Sequence, residues 1–289
     1  MSSQPEELTI QTHALRLAAR AWGPPDGVPV LALHGWLDNA ASFDTLAPRL
    51  PGLRLVCLDM PGHGHSEHAA PGELYGFVDT VARVAEVPRV LGWARYCLLG
   101  HSLGAAVASV LAGTFPRQVR RLVLVEGLGP MVEAPEQAPA RLARSITEQL
   151  ARRGRPAPRY ASAEEAAERL RRAVGTLSAE GARALVGRGL CAVEGGVTWR
   201  SDPRLRVASR LRLTEAQVLA FLRAVEAPTL LVRGAQGYPE TPALHQRLAA
   251  VRDIATVTLP GGHHVHLDAP EPVAEAIAAF LAPEHAGPG

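Results

Sequence analysis

The chain has 289 residues, a 47% apolar fraction and a formal net charge of +2. That suits one large α/β domain with an insertion, or two small domains, with a sizeable core. The near-neutral charge and the lack of like-charge runs leave no case for a nucleic-acid surface. All 30 basic residues are Arg and none is Lys, which excludes a Schiff base and a Ser–Lys dyad. Cys57, Cys97 and Cys191 are an odd number with no close pair. Two of them sit in apolar runs and read as buried thiols, and a reducing compartment without disulfides is the simplest reading, so a cytoplasmic location is expected. Met1–Glu7 is polar with no apolar core for a secretory signal, and no apolar run approaches the roughly 20 residues of a membrane span. Monomer and dimer are both left open.

In chain order, Leu8–Gln11 and Ala14–Trp22 read as an opening hairpin followed by the turn Gly23–Gly27. Val28–Leu33 is a continuous apolar run, as expected for a strand buried on both faces of a mostly parallel sheet. Asn39 is placed to cap a helix through Leu50. Arg54–Leu58, Cys97–Leu99 and Leu122–Val125 continue the buried strands, with a helix of small and apolar residues over Ser102–Phe115. From Met131 to about Ala208 the strand runs stop. Amphipathic stretches replace them at Ala138–Arg153, Ala163–Val174 and Ser178–Gly187, the first two separated by Gly154–Pro158. Alternation resumes with a strand at Thr229–Val232, a helix at Thr241–Ala250, a strand at Ile254–Leu259 and a helix at Pro272–Leu281; His285–Gly289 is expected to fray. The pattern predicts an α/β core (1–130 and 209–289) interrupted by a helical lid (131–208). Thr229–Val232 should neighbour Leu122–Val125, so the lid should leave the sheet at its C-terminal edge and cover the site there.

Gly100-His101-Ser102-Leu103-Gly104 fits G-x-S-x-G, and it lies between a strand and a helix. Such a tight turn exposes a serine hydroxyl, and its flanking glycines remove Cβ atoms that would clash. The following helix N-terminus sets the Leu103 N–H beside a developing oxyanion. Ser102 is therefore the candidate nucleophile.

With these residues in view, the chain resembles the α/β-hydrolase superfamily, and within it the serine hydrolase-like proteins; lid-bearing esterases and C–C bond hydrolases are broader relatives. The resemblance covers nearly the whole chain. It rests on His34-Gly35-Trp36, on Asp59–Ser66, on the elbow, on Gly262–Pro270 and, less diagnostically, on Thr198–Leu205. It implies an α/β-hydrolase fold with a mostly parallel central sheet, helices on both faces and a helical lid insertion. Trp36 would then supply the second oxyanion amide, and Trp36 and His101 would wall the substrate pocket. His263, directly after Gly262 and seven residues before Pro270-Glu271, takes the place of the base, with His264 and His266 as alternatives. The superfamily's usual acid position falls on Gly237, which cannot serve. Glu126, at the end of the preceding strand, is favoured in its place, with Glu240 as the alternative acid. The glycine-punctuated Asp59–Ser66 turn is read as structural, so neither a metal nor a cofactor is expected. The expected activity is hydrolysis of a small-molecule ester or related acyl bond. C–C or lactone hydrolysis and a non-catalytic ligand-binding role stay open. The predicted lid carries 14 Arg against 9 acidic residues, which fits either a carboxylate-bearing substrate or a solvated helix face.

Overall fold

The computed structural model describes residues 4–152 and 157–282; the predicted Gly154–Pro156 part of the break and the His285–Gly289 end lie outside the described residues. β1 (Glu6–Gln11) and β2 (Arg16–Trp22) form the antiparallel opening hairpin, and β2 pairs antiparallel with β4 (Leu53–Leu58). From there every pairing is parallel: β3 (Val28–Leu33) lies between β4 and β5 (Tyr96–His101), followed by β6 (Val119–Val125), β10 (Thr229–Gly234) and β11 (Ile254–Leu259). The sheet order is β1-β2-β4-β3-β5-β6-β10-β11. β6 and β10 are neighbours, as the sequence leads one to expect.

Alternate residues of each central strand enter opposite layers of core, the period of two that a strand imposes. Leu31, Leu33, Leu98 and Leu124 pack with Val84 of α1 (Phe77–Val90) and with Val107 and Leu111 of α2 (Leu103–Thr114). Val30, Ala32, Leu99 and Val125 pack on the other face with Phe43 and Leu46 and with Val273 and Ile277 of α9 (Pro270–Leu281). Three local readings need correction. Asn39 does cap, accepting from the Ala41 N–H at 3.0 Å, but it heads two short 3₁₀ turns, Ala40–Phe43 and Ala47–Arg49, not one α-helix. Pro48 has no N–H for an α-helical bond, and the buried Ala40, Phe43 and Leu46 recur every third residue, the 3₁₀ period. The helix α1 has no counterpart in the sequence reading. It buries Val81, Val84 and Val87 at helical spacing, but Pro88 in its last turn obscures the pattern. The final helix starts at Pro270, two residues earlier than predicted.

The segment between β6 and β10 holds α3 (Ala138–Ala151), α4 (Ala163–Val174) and α5 (Ala179–Gly189), near the predicted stretches. It also holds a small antiparallel sheet, β7 (Arg159–Tyr160), β9 (Gly196–Trp199) and β8 (Leu190–Val193), which periodicity over two to four residues cannot reveal. α6 (Glu215–Arg223) follows and returns to the core through Val218 and Leu222. α7 (Pro242–Ala250) connects β10 to β11, and the short α8 (Val265–Asp268) precedes α9. The segment has its own apolar cluster, in which Ala166, Leu177, Ala182 and Leu185 meet Leu267 of α8. Among the described residues, no helix is long and apolar enough to cross a membrane.

Polar ties fix this segment to the sheet. Arg188 of α5, side chain 5% exposed, donates from Nε to the fully buried Asp59 at 2.8 Å and from a terminal nitrogen to Glu7 at 2.8 Å. Asp59 also accepts the Ala40 N–H at 2.7 Å and the His65 N–H at 2.9 Å. Removing one partner of such a pair strands a buried charge. Arg188→Ala should therefore lower the unfolding free energy by about 3–5 kcal/mol, read from urea denaturation at pH 7; a loss well under 1 kcal/mol would show that the pair carries no such weight.

Candidate active site

The turn from β5 into α2 is as tight as the G-x-S-x-G pattern requires. Ser102 has φ +52 and ψ −111, a conformation a side-chain-bearing residue adopts only under constraint. A Cβ on Gly104 would lie 2.0 Å from the Leu33 carbonyl oxygen, and one on Gly100 2.5 Å from the Gly104 oxygen. The Ser102 N–H donates to the Val125 oxygen at 2.9 Å, which ties the turn to β6. Leu103 opens α2, so its N–H is one of the first-turn donors without an intrahelical acceptor. Trp36 follows the exit of β3 and lines the same cavity as Ser102, Leu103 and His101.

His263 lies in the loop after β11. Its Nε2 is 2.9 Å from Ser102 Oγ, and its Nδ1 is 3.3 Å from a Glu126 carboxylate oxygen. A carboxylate can only accept, so Nδ1 carries the proton and Nε2 is free to accept from the serine hydroxyl. His101, buried, reaches the His263 carbonyl oxygen through Nε2–H at 2.8 Å, and the Tyr238 ring lies 4.4 Å from the His263 ring. Glu126 ends β6 with φ +52, and its N–H donates to the Val232 oxygen at 2.9 Å. Its carboxylate accepts the Gly234 N–H at 2.7 Å and the Tyr238 N–H at 2.8 Å. Burial alone would raise its pKa, but the bonds from His263, Tyr238 and Gly234 outweigh burial and hold it below the ordinary range.

Gly237, where the superfamily's usual acid is missing, faces this carboxylate directly. A Cβ there would lie 2.2 Å from a Glu126 oxygen. A side chain at 237 and the Glu126 carboxylate therefore compete for one space. Glu240 is exposed and turns away, to Arg233 at 2.6 Å and His245 at 3.5 Å. Of the residues the sequence singles out, Ser102, His263 and Glu126 come together, and Glu240 does not join them.

The remaining histidines do other work. His266 Nε2 is 2.8 Å from Ser42 Oγ, and burial drives its pKa well down. His264 Nε2 lies 3.4 Å from Asp38, an interaction the sequence reading missed because Asp38 stands 226 positions away. Burial opposes charge on His264, but Asp38 outweighs it and raises the imidazole pKa; burial would also raise Asp38, which His101 and His264 instead hold well below its usual value. Asp38, His101 and His264 offer ligand-type atoms within 4.8 Å of one another, the one grouping with metal-like spacing among the described residues. Asp38 lies between the two rings, 3.5 Å from His101 Nδ1 and 3.4 Å from His264 Nε2, and favours the charged form of His264. In the Asp59–Ser66 turn, His63 donates to the Pro61 oxygen at 3.1 Å and accepts the Leu37 N–H at 3.3 Å. His34 donates to the Gly35 oxygen at 2.7 Å and accepts the Met60 N–H at 3.0 Å. Both rings hold loops together in the neutral form.

Above Ser102 opens a cavity of about 930 Å³. Its walls combine Phe77, Val78, Met131, Leu211 and Leu213 with arginines at 141, 144, 206, 210 and 212. The Trp36 indole, half exposed, donates to the Leu205 oxygen at 3.1 Å and so fastens the 205–213 stretch beside the serine.

An opened-out serine held between a sheet edge and a helix N-terminus, with an imidazole and a carboxylate in line, is the arrangement of a hydrolase on this fold. Residues 28–270 match the alpha/beta hydrolase fold family. A serine hydrolase-like protein of Danio rerio is 33% identical over 93% of this chain and 86% of its own length. Among solved structures, a hypothetical protein from Pseudomonas aeruginosa PAO1 is 47% identical, with a TM-score of 0.92 over 96% of this chain and 99% of that one. A thioesterase domain from the curacin biosynthetic pathway is 29% identical, with a TM-score of 0.85 over 95% and 99%. The chain belongs to the α/β-hydrolase family, among its serine hydrolase-like members, and is a hydrolase.

The neutral loop histidines give the fold a pH signature. Burial lowers His34 to about 4 and His63 to about 3, from 6.5. The unfolded chain therefore takes up protons below pH 6.5 that the folded chain refuses, and stability falls as pH drops through that window. At pH 5 each ring accounts for a loss of about 2 kcal/mol relative to pH 7. His63→Gln, which keeps a donor and an acceptor but cannot titrate, should shrink the pH 7-to-5 loss by about 2 kcal/mol, measured from urea midpoints at both pH values. An unchanged loss would mean that His63 titrates normally in the fold.

Proposed function

We propose that the protein is a serine hydrolase that cleaves a carboxylic ester or related acyl bond through an acyl-enzyme on Ser102. The observation that carries this reading is the single imidazole spanning Ser102 Oγ at 2.9 Å and Glu126 at 3.3 Å. In the proposed reaction, His263 Nε2 takes the hydroxyl proton as Oγ bonds to the acyl carbon. The negative charge gathers on the carbonyl oxygen, which the Trp36 and Leu103 amides stabilise. His263 returns the proton to the departing alkoxide, and the carbon–oxygen bond breaks. Water then repeats the sequence on the acyl-enzyme and frees the acid and Ser102. Glu126 keeps the proton on Nδ1 and balances the imidazolium charge.

In this reading, 131–208 acts as the lid, set between core parts 1–130 and 209–289. Its support is that Met131, Arg141, Arg144 and 205–208 border the cavity that opens over Ser102. Trp36 and His101 serve as walls of the substrate site.

Ser102→Ala should abolish p-nitrophenyl ester hydrolysis and labelling by a fluorophosphonate probe while leaving the melting temperature within a few degrees. A wild-type protein that never labels would favour a ligand-binding role. Glu126→Gln should depress kcat by about 10⁴, the scale on which the loss of an orienting carboxylate acts, whereas Glu240→Gln should stay near wild type. Comparable rates for all three proteins would remove Glu126 from the mechanism.

A further inference from the structure

The cavity over Ser102 is unbalanced in charge. Five arginines line it, against Asp79 and the two carboxylates Asp38 and Glu126 already engaged by histidines. Two of the five are neutralised: Arg141 pairs with Glu133, and Arg144 with Glu148 at 2.7 Å. Among the described residues, Arg210 reaches only the uncharged Gln149 amide oxygen, at 3.3 Å. Arg206 and Arg212 have no ion-pair partner among the described residues. The Arg206 guanidinium lies 5.8 Å from the centre of the Trp36 ring, beside the nucleophile. Both sit on the 205–213 stretch, all nine residues of which face the cavity. Arg206 ends the short 3₁₀ turn Pro203–Arg206 and Arg212 lies in irregular chain, and both line the cavity, so a solvated α-helix face does not account for them. Partial burial pulls both guanidinium pKa values below the ordinary one. Glu133, the carboxylate that acts on Arg212, is already bound by Arg141. A cation that has given up some of its water without a carboxylate of its own is primed for an anion. The lining also holds apolar side chains: Val78 is 60% exposed, Met131 73% and Leu211 63%, large groups left open where a hydrocarbon can cover them.

We propose that the substrate is amphiphilic: an apolar chain that lies on Val78, Met131 and Leu211, with an anionic oxygen group, carboxylate or phosphate, held by Arg206 and Arg212. The proposal rests on the serine hydrolase reading and adds the substrate's charge to it. The anion has two possible places, the far end of the acyl chain or the leaving group. Guanidinium binds both chemistries through the same paired donors.

Three substrates separate these cases: p-nitrophenyl butyrate, which is neutral; the mono-p-nitrophenyl ester of glutaric acid, with a carboxylate at the end of the acyl chain; and butyryl-CoA, with phosphates on the leaving group. At least one anionic substrate should exceed its neutral counterpart in kcat/KM. The ratio of anionic to neutral kcat/KM should fall by about tenfold or more in Arg206→Gln and in Arg212→Gln, the scale of one lost charge-assisted hydrogen bond. Arg206→Lys should recover part of that ratio, and raising NaCl from about 0.05 to about 0.5 M should erode it. A preference for the glutarate ester assigns the anion to the acyl side, and a preference for the thioester assigns it to the leaving side. The proposal is overturned if no anionic substrate is preferred, or if the variants slow neutral and anionic substrates by the same factor. A parallel titration keeps it separate from the hydrolytic step: glutarate and CoA are added to Ser102→Ala, with and without Arg206→Gln, and followed by tryptophan fluorescence and calorimetry. Arg206-dependent binding, together with a wild-type protein that neither labels with the fluorophosphonate probe nor hydrolyses any of the three substrates, would reject the acyl-enzyme reading and leave the anion site standing. Absence of binding for both ligands, with no anionic preference in turnover, would reject the anion site alone.

Discussion

Everything at the site hangs on the absence of side chains around one turn. α2 approaches the end of β3 so closely that a Cβ on Gly104 would overlap the Leu33 carbonyl oxygen at 2.0 Å. That approach brings the first N–H groups of α2 to the place where β3 releases Gly35 and Trp36. It also forces Ser102 into positive φ, with its hydroxyl raised toward His263. Two core layers grip the strands on either face and leave the turn no way to relax. The strain is local, and the packing that maintains it is distributed over the whole sheet.

The carboxylate obeys a second exclusion. The space beside His263 Nδ1 can be filled from β6 or from the loop after β10, because those strands are parallel neighbours with Val125 opposite Val232. Glu126 fills it here, and the 2.2 Å approach to a Cβ at position 237 leaves room there only for glycine. In the proposed reading, what looks in the sequence like a missing acid is a displaced one. The backbone amides of Gly234 and Tyr238 still converge on the same spot and bond to whatever carboxylate occupies it.

The parallel strands, the elbow and the interruption after β6 were legible because each is a local pattern: an unbroken apolar run, a five-residue motif, a change of period. Glu126 was legible only through the resemblance, which marked a gap at Gly237 and offered the end of the preceding strand for the filler, with Glu240 as the alternative. Other features were closed to sequence reading for physical reasons. Strands of two to four residues carry too little periodicity to be seen, so β7, β8 and β9 were missed. Helix α1 was hidden by Pro88, which a last helical turn tolerates. Asp38 looks like a loop residue until the fold carries it to 3.4 Å from His264. The unpaired arginines were visible only as a surplus of charge, because pairing is a property of space and not of order along the chain.

The placing of Glu126 also bears on how freely this protein can change. On β6 the carboxylate is anchored by the Glu126 N–H bond to Val232, at 2.9 Å, within the framework of the sheet. Toward that carboxylate, the loop from 235 to 241, which follows β10, presents the Tyr238 N–H and keeps position 237 bare. Its outer part is held instead by Arg233, which reaches the Tyr238 oxygen at 2.8 Å and Glu240 at 2.6 Å. In the proposed reading, the arrangement moves a chemical obligation from a surface loop to the end of a sheet strand, whose backbone is fixed by its neighbours.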